Sequence, residues 1–596
     1  MDKYIMDIET NGFLKDVTKV HCMVIKNLTT GEVTSYRGDG AHDEFQSGLE
    51  YLRYIAVQGY LIGHNIIKFD LPVLSKLYGF TLVNQEKVID TLVLSRLIYS
   101  DLKNSDEAYR KTGRLPSKLY ASHSLKAWGY RLGILKGDLG EEETRFDNYT
   151  PEMLEYCKQD VEVTGVLFKH LEGIEYAQEA KDLEHKVAWI CAAMERTGWK
   201  FDEAKAAQLY AKLVKEKVDI FNTMQATFEP ITVDRGVSEK TGKKLKDKVV
   251  EFNPASRQHI AKRLGDKYGW KPIDFTPSGQ AKIDDEVLSK LDYPEAKLLA
   301  EYFLLNKRLG QLAEGDQAWL KLVHKGRIHG SINTNGAVTG RCTHQAPNMA
   351  QVPSLSSKYG KECRELFIVP EKYKLVGVDL SGLELRCLAH FMGRWDNGAY
   401  GKVVVEGKQE DDTDIHTVNQ RAAGLPTRAA AKTFIYALLY GAGDAKIGSI
   451  IGKGSKAGSE LKKQFFNKIV ALAKLRDTVV YKAKRGFLYG LDQRQLNVRS
   501  THAALNTLLQ SAGALVAKRW LIEVDIECKA RGLVYDKDYA LLGFIHDETQ
   551  WQVKEELADE FGKLVVECAK RSGKYFKFTV PTDAQYSIGN NWADTH

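Results

Sequence analysis

FIHDETQ, residues 544–550, sets a histidine and two adjacent acids at the end of an apolar run that otherwise reads as the inside of a sheet. Charge at His546, Asp547 and Glu548 is expensive there unless it is paired, hydrogen-bonded or bound to metal. The residues that follow, TQWQV, return as the other arm of a hairpin, with Glu548 at the turn. A second apolar strand, Leu375 to Val378 in YKLVGVDLSGLELRCLAHF, ends at Asp379 and leads into a helix carrying Glu384 and Arg386. If the two strands lie side by side, Asp379 and Asp547 face one another. Clustered carboxylates repel unless they are protonated or bridged by metal, and two magnesium ions would bridge them. The competing account, ordinary acids in a hairpin turn, fits the buried approach LLGFI poorly.

GLPTRAAAKTFIYALLYGAG reads as a helix with Pro426 and Thr427 at its start and Gly441 at its end. Arg428, Lys432, Tyr436 and Tyr440 recur every four residues, drifting by about 40° per step. One face therefore presents a guanidinium, an ammonium and two rings, an order that matches a nucleoside triphosphate. A solvated face with chance spacing is the alternative.

Acids also mark the start of the chain. YIMDIET is strand-like, so Asp7 and Glu9 leave the same face. GYLIGHNIIKFDLPVL turns through His64 and Asn65 toward Asp70, and TPEMLEYCKQD opens a helix with Thr150 as cap and Pro151 in its first turn. Tyr156 and Asp160 fall four apart on that helix. Acids on these separate elements could hold two divalent cations for phosphodiester hydrolysis, with Tyr156 orienting the attacking water. Turn and solvated-face acids are the bland alternative.

Around these motifs the chain is ordinary. Its 596 residues exceed one growing core, so several domains are expected. A net charge of +7 permits a polyanionic partner without requiring one. Eight cysteines without a CxxC pair suggest free thiols in a reducing compartment, and the first residues contain neither a signal nor a membrane span. Glu184 to Met224 reads as continuous helix, residues 234–250 as a basic loop or hairpin, and YFLLNKRLGQLAEGDQAWLKLV as another long helix. GRIHGSINTNGAVTGRCTHQAPNMAQVP, nearly free of acids, suits close approach of backbone and amides to nucleic acid.

VDLSGLELR, RAAAKTFIYALLYG and HDE resemble motifs A, B and C of family A DNA polymerases, and DIE, HNIIKFD and YCKQD resemble the three motifs of DEDDy proofreading exonucleases. With AALNTLLQSAGAL and SINTNGAVTGR, the likeness is to the replicative branch of that family found in T7-type bacteriophages, and it covers nearly the whole chain. The resemblance implies an α/β multidomain fold. A ribonuclease H-like exonuclease domain over 1–172 would precede a right-hand polymerase: thumb 173–330, first part of the palm 331–404, fingers 405–500, and second part of the palm with the C-terminus 501–596.

Residue roles follow from the same resemblance. Asp379 and Asp547, with the backbone oxygen of Leu380, would hold two catalytic Mg2+ ions, with Glu548 as supporting acid. Arg428, Lys432 and His416 would bind the triphosphate, and Tyr436 would lie against the incoming sugar and base. Glu384 would exclude a ribose 2′-OH. Tyr440 would lie near the template base, and Arg341, Asn506, Gln510 and His546 would contact primer–template. In the exonuclease, Asp7, Glu9, Asp70 and Asp160 would hold two further Mg2+ ions, with Tyr156 positioning water. The final NNWADTH would lie close to the polymerase site.

The implied activity is template-directed DNA synthesis from deoxynucleoside triphosphates, with 3′–5′ proofreading, in a phage-like replisome. Helicase-primase and single-stranded DNA-binding protein would be partners in the cytoplasm of the bacterial host, without membrane attachment. The phage branch carries a long thumb insertion that captures thioredoxin. Here the corresponding stretch, 228–251, is a short basic linker, which puts thioredoxin binding in doubt; either Lys243, Lys244, Lys246 and Lys248 grip duplex directly or an unrelated clamp serves. No segment resembles a 5′–3′ nuclease domain, which argues for replication over gap repair. A single-subunit RNA polymerase would share the palm acids, but Glu384 and the proofreading motifs oppose it. A nuclease or a noncatalytic binding protein would explain only part of the chain.

Overall fold

β1 (Lys3–Thr10) is buried along nearly all its length, so the sheet it joins must be covered on both faces. The computed structural model describes residues 1–38, 42–134, 147–237, 240, 242–273, 275–276 and 279–596. In it, β2 (Val20–Asn27) and β3 (Val33–Arg37) extend the sheet antiparallel on one side of β1. β4 (Tyr60–Gly63) and β5 (Val88–Asp90) extend it parallel on the other, giving the order β3-β2-β1-β4-β5.

α1 (Thr91–Ile98) leaves β5 under the cap of Asp90, which accepts from Leu92 N and Val93 N. α2 (Pro151–Glu172) starts as the sequence predicts, with Thr150 accepting from Met153 N. Its Cys157 and Val161 pack against Ile5, Cys22 and Val24 of the sheet. A side chain at Gly165 would meet the Ile5 side chain at 2.9 Å, so glycine sets how closely α2 approaches β1.

The long helix expected over Glu184–Met224 is two helices. α3 (Gln178–Thr197) ends at Gly198, whose φ is 63°, and a second helix runs over Glu203–Thr227. Between them Trp199–Phe201 is a strand, paired with Arg327–Ile328 and with Phe367–Ile368. Apolar periodicity continues through the break, so only the glycine's backbone conformation marks it. The helix expected to run on through YFLLNKRLGQLAEGDQAWLKLV stops at Leu309 in a π turn over Gly310–Glu314.

The 228–251 stretch is a β-ribbon and not a linker: Ile231–Val233 pairs antiparallel with Lys248–Val250. Lys243, Lys244 and Lys248 are exposed on it, while Ser238, Glu239 and Thr241 lie outside the described residues.

β6 (Ser331–Asn333) and β7 (Thr343–Gln345) form a short antiparallel pair in the Gly- and Asn-rich stretch. Then come β8 (Tyr373–Leu380), α4 (Leu383–Asp396), α5 (Ile415–Ala423), α6 (Arg428–Leu439) and α7 (Ala504–Ala530). β9 (Tyr539–Ile545), β10 (Glu548–Lys554) and β11 (Ala584–Gly589) complete an antiparallel sheet ordered β9-β10-β8-β11. β8 therefore lies beside the returning arm of the hairpin, not beside the LLGFI arm. Both arms show the same burial pattern, BBBBBBi, so sequence patterning does not say which one is central.

The two parts of the chain are joined by charge. Glu184 on α3 is fully buried and pairs with Lys518 of α7 and with Arg494 Nη1 at 2.7 Å. Arg494 also holds Asp492 at 2.7 Å and donates to Asn335 Oδ1 at 3.1 Å. Asn335 Nδ2 in turn donates to the Arg96 carbonyl on α1 at 2.8 Å. Among the described residues no helix is long and apolar enough to cross a membrane, and all eight cysteines are free thiols.

Replacing Lys518 by methionine keeps the volume but leaves Glu184 and Asp492 sharing one buried cation, Arg494. The expected loss is about 3–5 kcal/mol, the usual result of removing one partner from a buried ion pair, read as an earlier midpoint in urea unfolding.

Candidate active site

The acids of the antiparallel sheet gather at one end. Asp379 near the end of β8 stands opposite Glu548 in register, and Leu380 N donates to the Asp547 carbonyl at 3.0 Å, fastening the turn to the strand. His546 and Asp547 are the two-residue turn between β9 and β10. His546 has φ 61°, the left-handed region that such hairpin turns usually fill with glycine or asparagine. Non-glycine residues held there cluster at functional sites.

Burial, then Glu548 and Glu384, raises the Asp379 carboxyl to about 6 against the opposing pull of His596, although its tip opens to solvent. Burial, then Glu384 and Asp379, raises Asp547 to about 7. Glu548 is different. Burial pushes it up, but its bonds to His596, Gln550 and Trp592 outweigh that and hold it below its ordinary value. Trp592 Nε1 and Gln550 Nε2 each donate to Glu548 Oε1 at 2.7 Å, and His596 Nδ1 lies 3.3 Å from Oε2. Asp379 and Asp547 thus keep raised carboxyls in spite of His596 and Arg341, while Glu548 is already satisfied. Hard divalent cations fit such a pair, because carboxylate oxygens are their preferred ligands.

The segment 591–596 can lie against the sheet because β8 has no side chain at Gly377. A Cβ there would meet Gln550 Nε2 and the Thr595 carbonyl, each at 2.6 Å. This bears out the placing of NNWADTH beside the acids.

α6 brings cations to the same place. Thr427 caps it, and Asp414 Oδ1 takes both Nε and Nη2 of Arg428 at 3.0 Å. Asp414 also caps α5, accepting from His416 N at 3.0 Å and Thr417 Oγ1 at 2.6 Å. One carboxylate therefore sets Arg428 and His416 side by side. Burial, then Arg428 and Lys432, lowers the His416 imidazole pKa, so the three nitrogenous groups crowd one spot suited to an anion.

Further along α6 the face turns toward acid. Burial, then Glu384, Asp547 and Asp379, raises the Tyr436 hydroxyl to about 12. Tyr440 OH donates to Glu384 Oε1 at 2.8 Å. Arg341, Glu384, His546 and Asp547 line one narrow pocket with Lys518. Gln510 Nε2 donates to Asn506 Oδ1 at 2.8 Å, and Asn506 abuts the end of α6 at Gly441. Sequence reading gave no role to Asp414, although an Asp just before a helix is a capping signal.

The N-terminal acids form a second cluster. Ligand atoms of Asp7, Glu9 and Cys157 lie within 4.8 Å of one another. Cys157 Sγ donates to Asp7 O at 3.5 Å, and burial drives its thiol well above its ordinary value. Burial, with Asp90 and Asp160 adding to it, raises Asp70 to about 7 against hydrogen bonds from its own backbone and from that of Ile8.

Asp90, absent from the sequence reading, accepts from Asn65 N at 2.9 Å, Ile67 N at 3.2 Å and Leu92 N at 2.9 Å. It fastens the His64–Asp70 turn, where Asn65 has φ 68°. Asp7, His64 and Asp160 face a cleft of about 650 Å³ whose opposite wall is the β6–β7 hairpin. Buried Asp70 and Glu9 are not part of its lining, and neither is Tyr156, one turn before Asp160 on α2.

Residues 233–594 match DNA polymerase family A. Over 99% of its length, and 100% of theirs, the chain is 38% identical to the DNA-directed DNA polymerases of Enterobacteria phage T3 and Escherichia phage T7. The T3 alignment spans 715 positions against 596 residues here, so that relative has more than a hundred residues without a counterpart in this chain. DNA polymerase I of Geobacillus stearothermophilus is 27% identical over 69% of this chain and 46% of its own. Among solved structures, the POL domain of Pol1 from M. smegmatis, in complex with DNA primer-template and dNTP, shares the fold. Its TM-score is 0.74 at 20% identity, covering 99% of this chain and 96% of that one.

The strained turn gives a direct test. His546→Gly is expected to unfold later than His546→Ala by about 1 kcal/mol, since both remove the imidazole but only glycine is at ease at this φ; paired urea titrations measure the difference.

Proposed function

The chain belongs to DNA polymerase family A, and we propose that it is the replicative DNA-directed DNA polymerase of a phage-like replisome, extending a primer 3′-OH and proofreading its own ends. The observation that carries this reading is the single face of α6. It runs from the Arg428, Lys432 and His416 cluster at one end, past Tyr436, to the paired acids Asp379 and Asp547 at the other. That is the layout of a triphosphate with its reacting phosphorus over a metal site.

Arg428, Lys432 and His416 bind the triphosphate oxygens. Asp414 keeps one edge of Arg428 occupied, so the remaining guanidinium donors point in a fixed direction. Tyr436 packs against the sugar and base. Glu384, held by Tyr440, fills the space a 2′-OH would need and so selects deoxynucleotides. Arg341, Asn506, Gln510 and His546 contact primer and template, with Tyr440 near the template base. Asp379, Asp547 and the Leu380 carbonyl would hold two Mg2+ ions, and Glu548 fixes the turn beside them. Magnesium bound there would activate the primer hydroxyl and neutralise developing phosphate charge. The remaining work is positioning and electrostatic stabilisation.

For proofreading, Asp7, Glu9, Asp70 and Asp160 would hold two further Mg2+ ions, with Tyr156 placing the water. The strand order, with β1 between an antiparallel pair and a parallel pair, supports a ribonuclease H-like domain over 1–172. The mutual repulsion at buried Asp70 supports metal binding. Thumb 173–330, palm 331–404 and 501–596, and fingers 405–500 follow the same reading. The shortness of the ribbon at 228–251 keeps thioredoxin binding in doubt. Helicase-primase and single-stranded DNA-binding protein would be its partners in the bacterial cytoplasm.

Primer extension is the primary test. Deoxynucleotides should be incorporated and ribonucleotides rejected; ribonucleotide extension would instead favour an RNA polymerase. Combined Asp7→Ala and Glu9→Ala replacement should abolish shortening of primer ends while extension persists, and unchanged shortening would remove the exonuclease assignment.

Magnesium should act on stability with a defined sign. Asp379 and Asp547 have folded-state pKa values raised to about 6 and about 7, above their ordinary value, so their stability contribution is lost as pH rises through that window. Added Mg2+ should restore it, raising the melting temperature at pH above about 7 and hardly at pH near 5. Asp547→Asn should blunt the difference, as thermal scans at the two pH values would record.

A further inference from the structure

Arg96, on α1, is a half-buried cation that has no ion-pair partner among the described residues. Its Nε is buried and makes no hydrogen bond, and burial pulls its pKa down. The two acids near enough to act on it are already engaged. Asp90 is taken by the backbone amides of Asn65, Ile67 and Leu92, and Glu195 Oε1 by Lys68 Nζ, at 2.6 Å, and by Ile332 N. A half-buried guanidinium without a counter-ion is costly; Arg364 and Arg386, also without one among the described residues, are bound by backbone carbonyls, whereas Arg96 is turned to a cleft.

The position is held firmly nonetheless. The Arg96 carbonyl accepts from Asn335 Nδ2 at 2.8 Å, and Asp90 caps the helix that carries it. Arg96 lines the same cleft as Asp7 and Asp160. A cleft of about 650 Å³ is within the range that holds a single small-molecule ligand, room enough for a terminal nucleotide.

We infer that Arg96 binds an internucleotide phosphate of the single-stranded 3′ end that enters this cleft; the inference rests on the proofreading reading. A guanidinium offers parallel donors matched to phosphate oxygens, and a phosphodiester would supply the counter-ion that the fold withholds. Ser331, Asn333 and Gln345 on the facing hairpin offer neutral hydroxyl and amide donors along the same path. Asp7 and Asp160 in the same cleft repel a bare phosphate, so a guanidinium there gives the backbone a favourable place to lie. Arg96 thus acts in binding and alignment, and the hydrolytic step stays with the acids.

The test uses the full chain carrying Asp7→Ala, so that DNA is bound and not cut, with a short labelled oligothymidylate followed by fluorescence anisotropy. Arg96→Ala should weaken binding about tenfold, the effect of one lost charge-assisted contact. The slope of log affinity against log salt should fall by about 0.7, one phosphate contact on a single strand, and Arg96→Lys should keep that slope. In the otherwise unaltered chain, Arg96→Ala should raise KM for single-strand degradation with kcat held, and leave extension of a paired primer unchanged.

Unchanged affinity and salt slope would overturn the inference, as would a loss of stability with no change in either. Inhibition by free thymidine monophosphate should be the same with and without Arg96. Its loss, with the oligonucleotide slope unaltered, would place Arg96 on the terminal phosphate and also overturn it. A chain that binds the oligonucleotide through Arg96 but never degrades it would remove the proofreading reading and leave the phosphate contact standing.

Discussion

A carboxylate out of reach of water, Glu184, fixes how the parts of this protein meet. It neutralises Lys518 on the central helix α7 and Arg494 beside it, and Arg494 passes the connection through Asn335 to the backbone at Arg96. A dry ion cluster of this kind adds little to net stability compared with a well-packed apolar substitute. It does penalise every arrangement in which one member is displaced, because a lone buried charge is then left behind. The relative placement of the two acid clusters is therefore specified by charge at their junction, and apolar packing alone would specify it less sharply.

Both clusters are built the same way. An apolar strand inside a sheet carries carboxylates, and other elements add acids beside them. The difference lies in what has been neutralised. In the antiparallel sheet, Glu548 is satisfied by Gln550, Trp592 and His596, while the carboxyls of Asp379 and Asp547 stay raised. In the mixed sheet, Asp90 is bound by backbone amides, while buried Asp70 keeps a raised carboxyl with Asp90 and Asp160 acting on it.

The same distinction explains what could be read from sequence. Acids at the ends of apolar runs are visible because burial and charge conflict there, so Asp7, Asp379 and Asp547 stand out, as does the four-residue spacing from Arg428 to Tyr440. Asp90 and Asp414 show in sequence only as helix-capping acids, and the further contacts that give them weight, to the Asn65–Ile67 turn and to Arg428, come from residues distant in the chain. Arg96 shows no local pattern at all. The partner of β8 was misplaced since both hairpin arms are equally buried. The break at Gly198 was missed because the apolar rhythm runs across it.

The β6–β7 hairpin belongs to two cavities at once. Ser331, Asn333 and Gln345 face the cleft of the N-terminal acids, while Arg341 and Cys342, on the loop and at the foot of the returning strand, face the pocket that holds Asp547. One short hairpin therefore shapes both cavities, and a shift of either of its strands is felt in both.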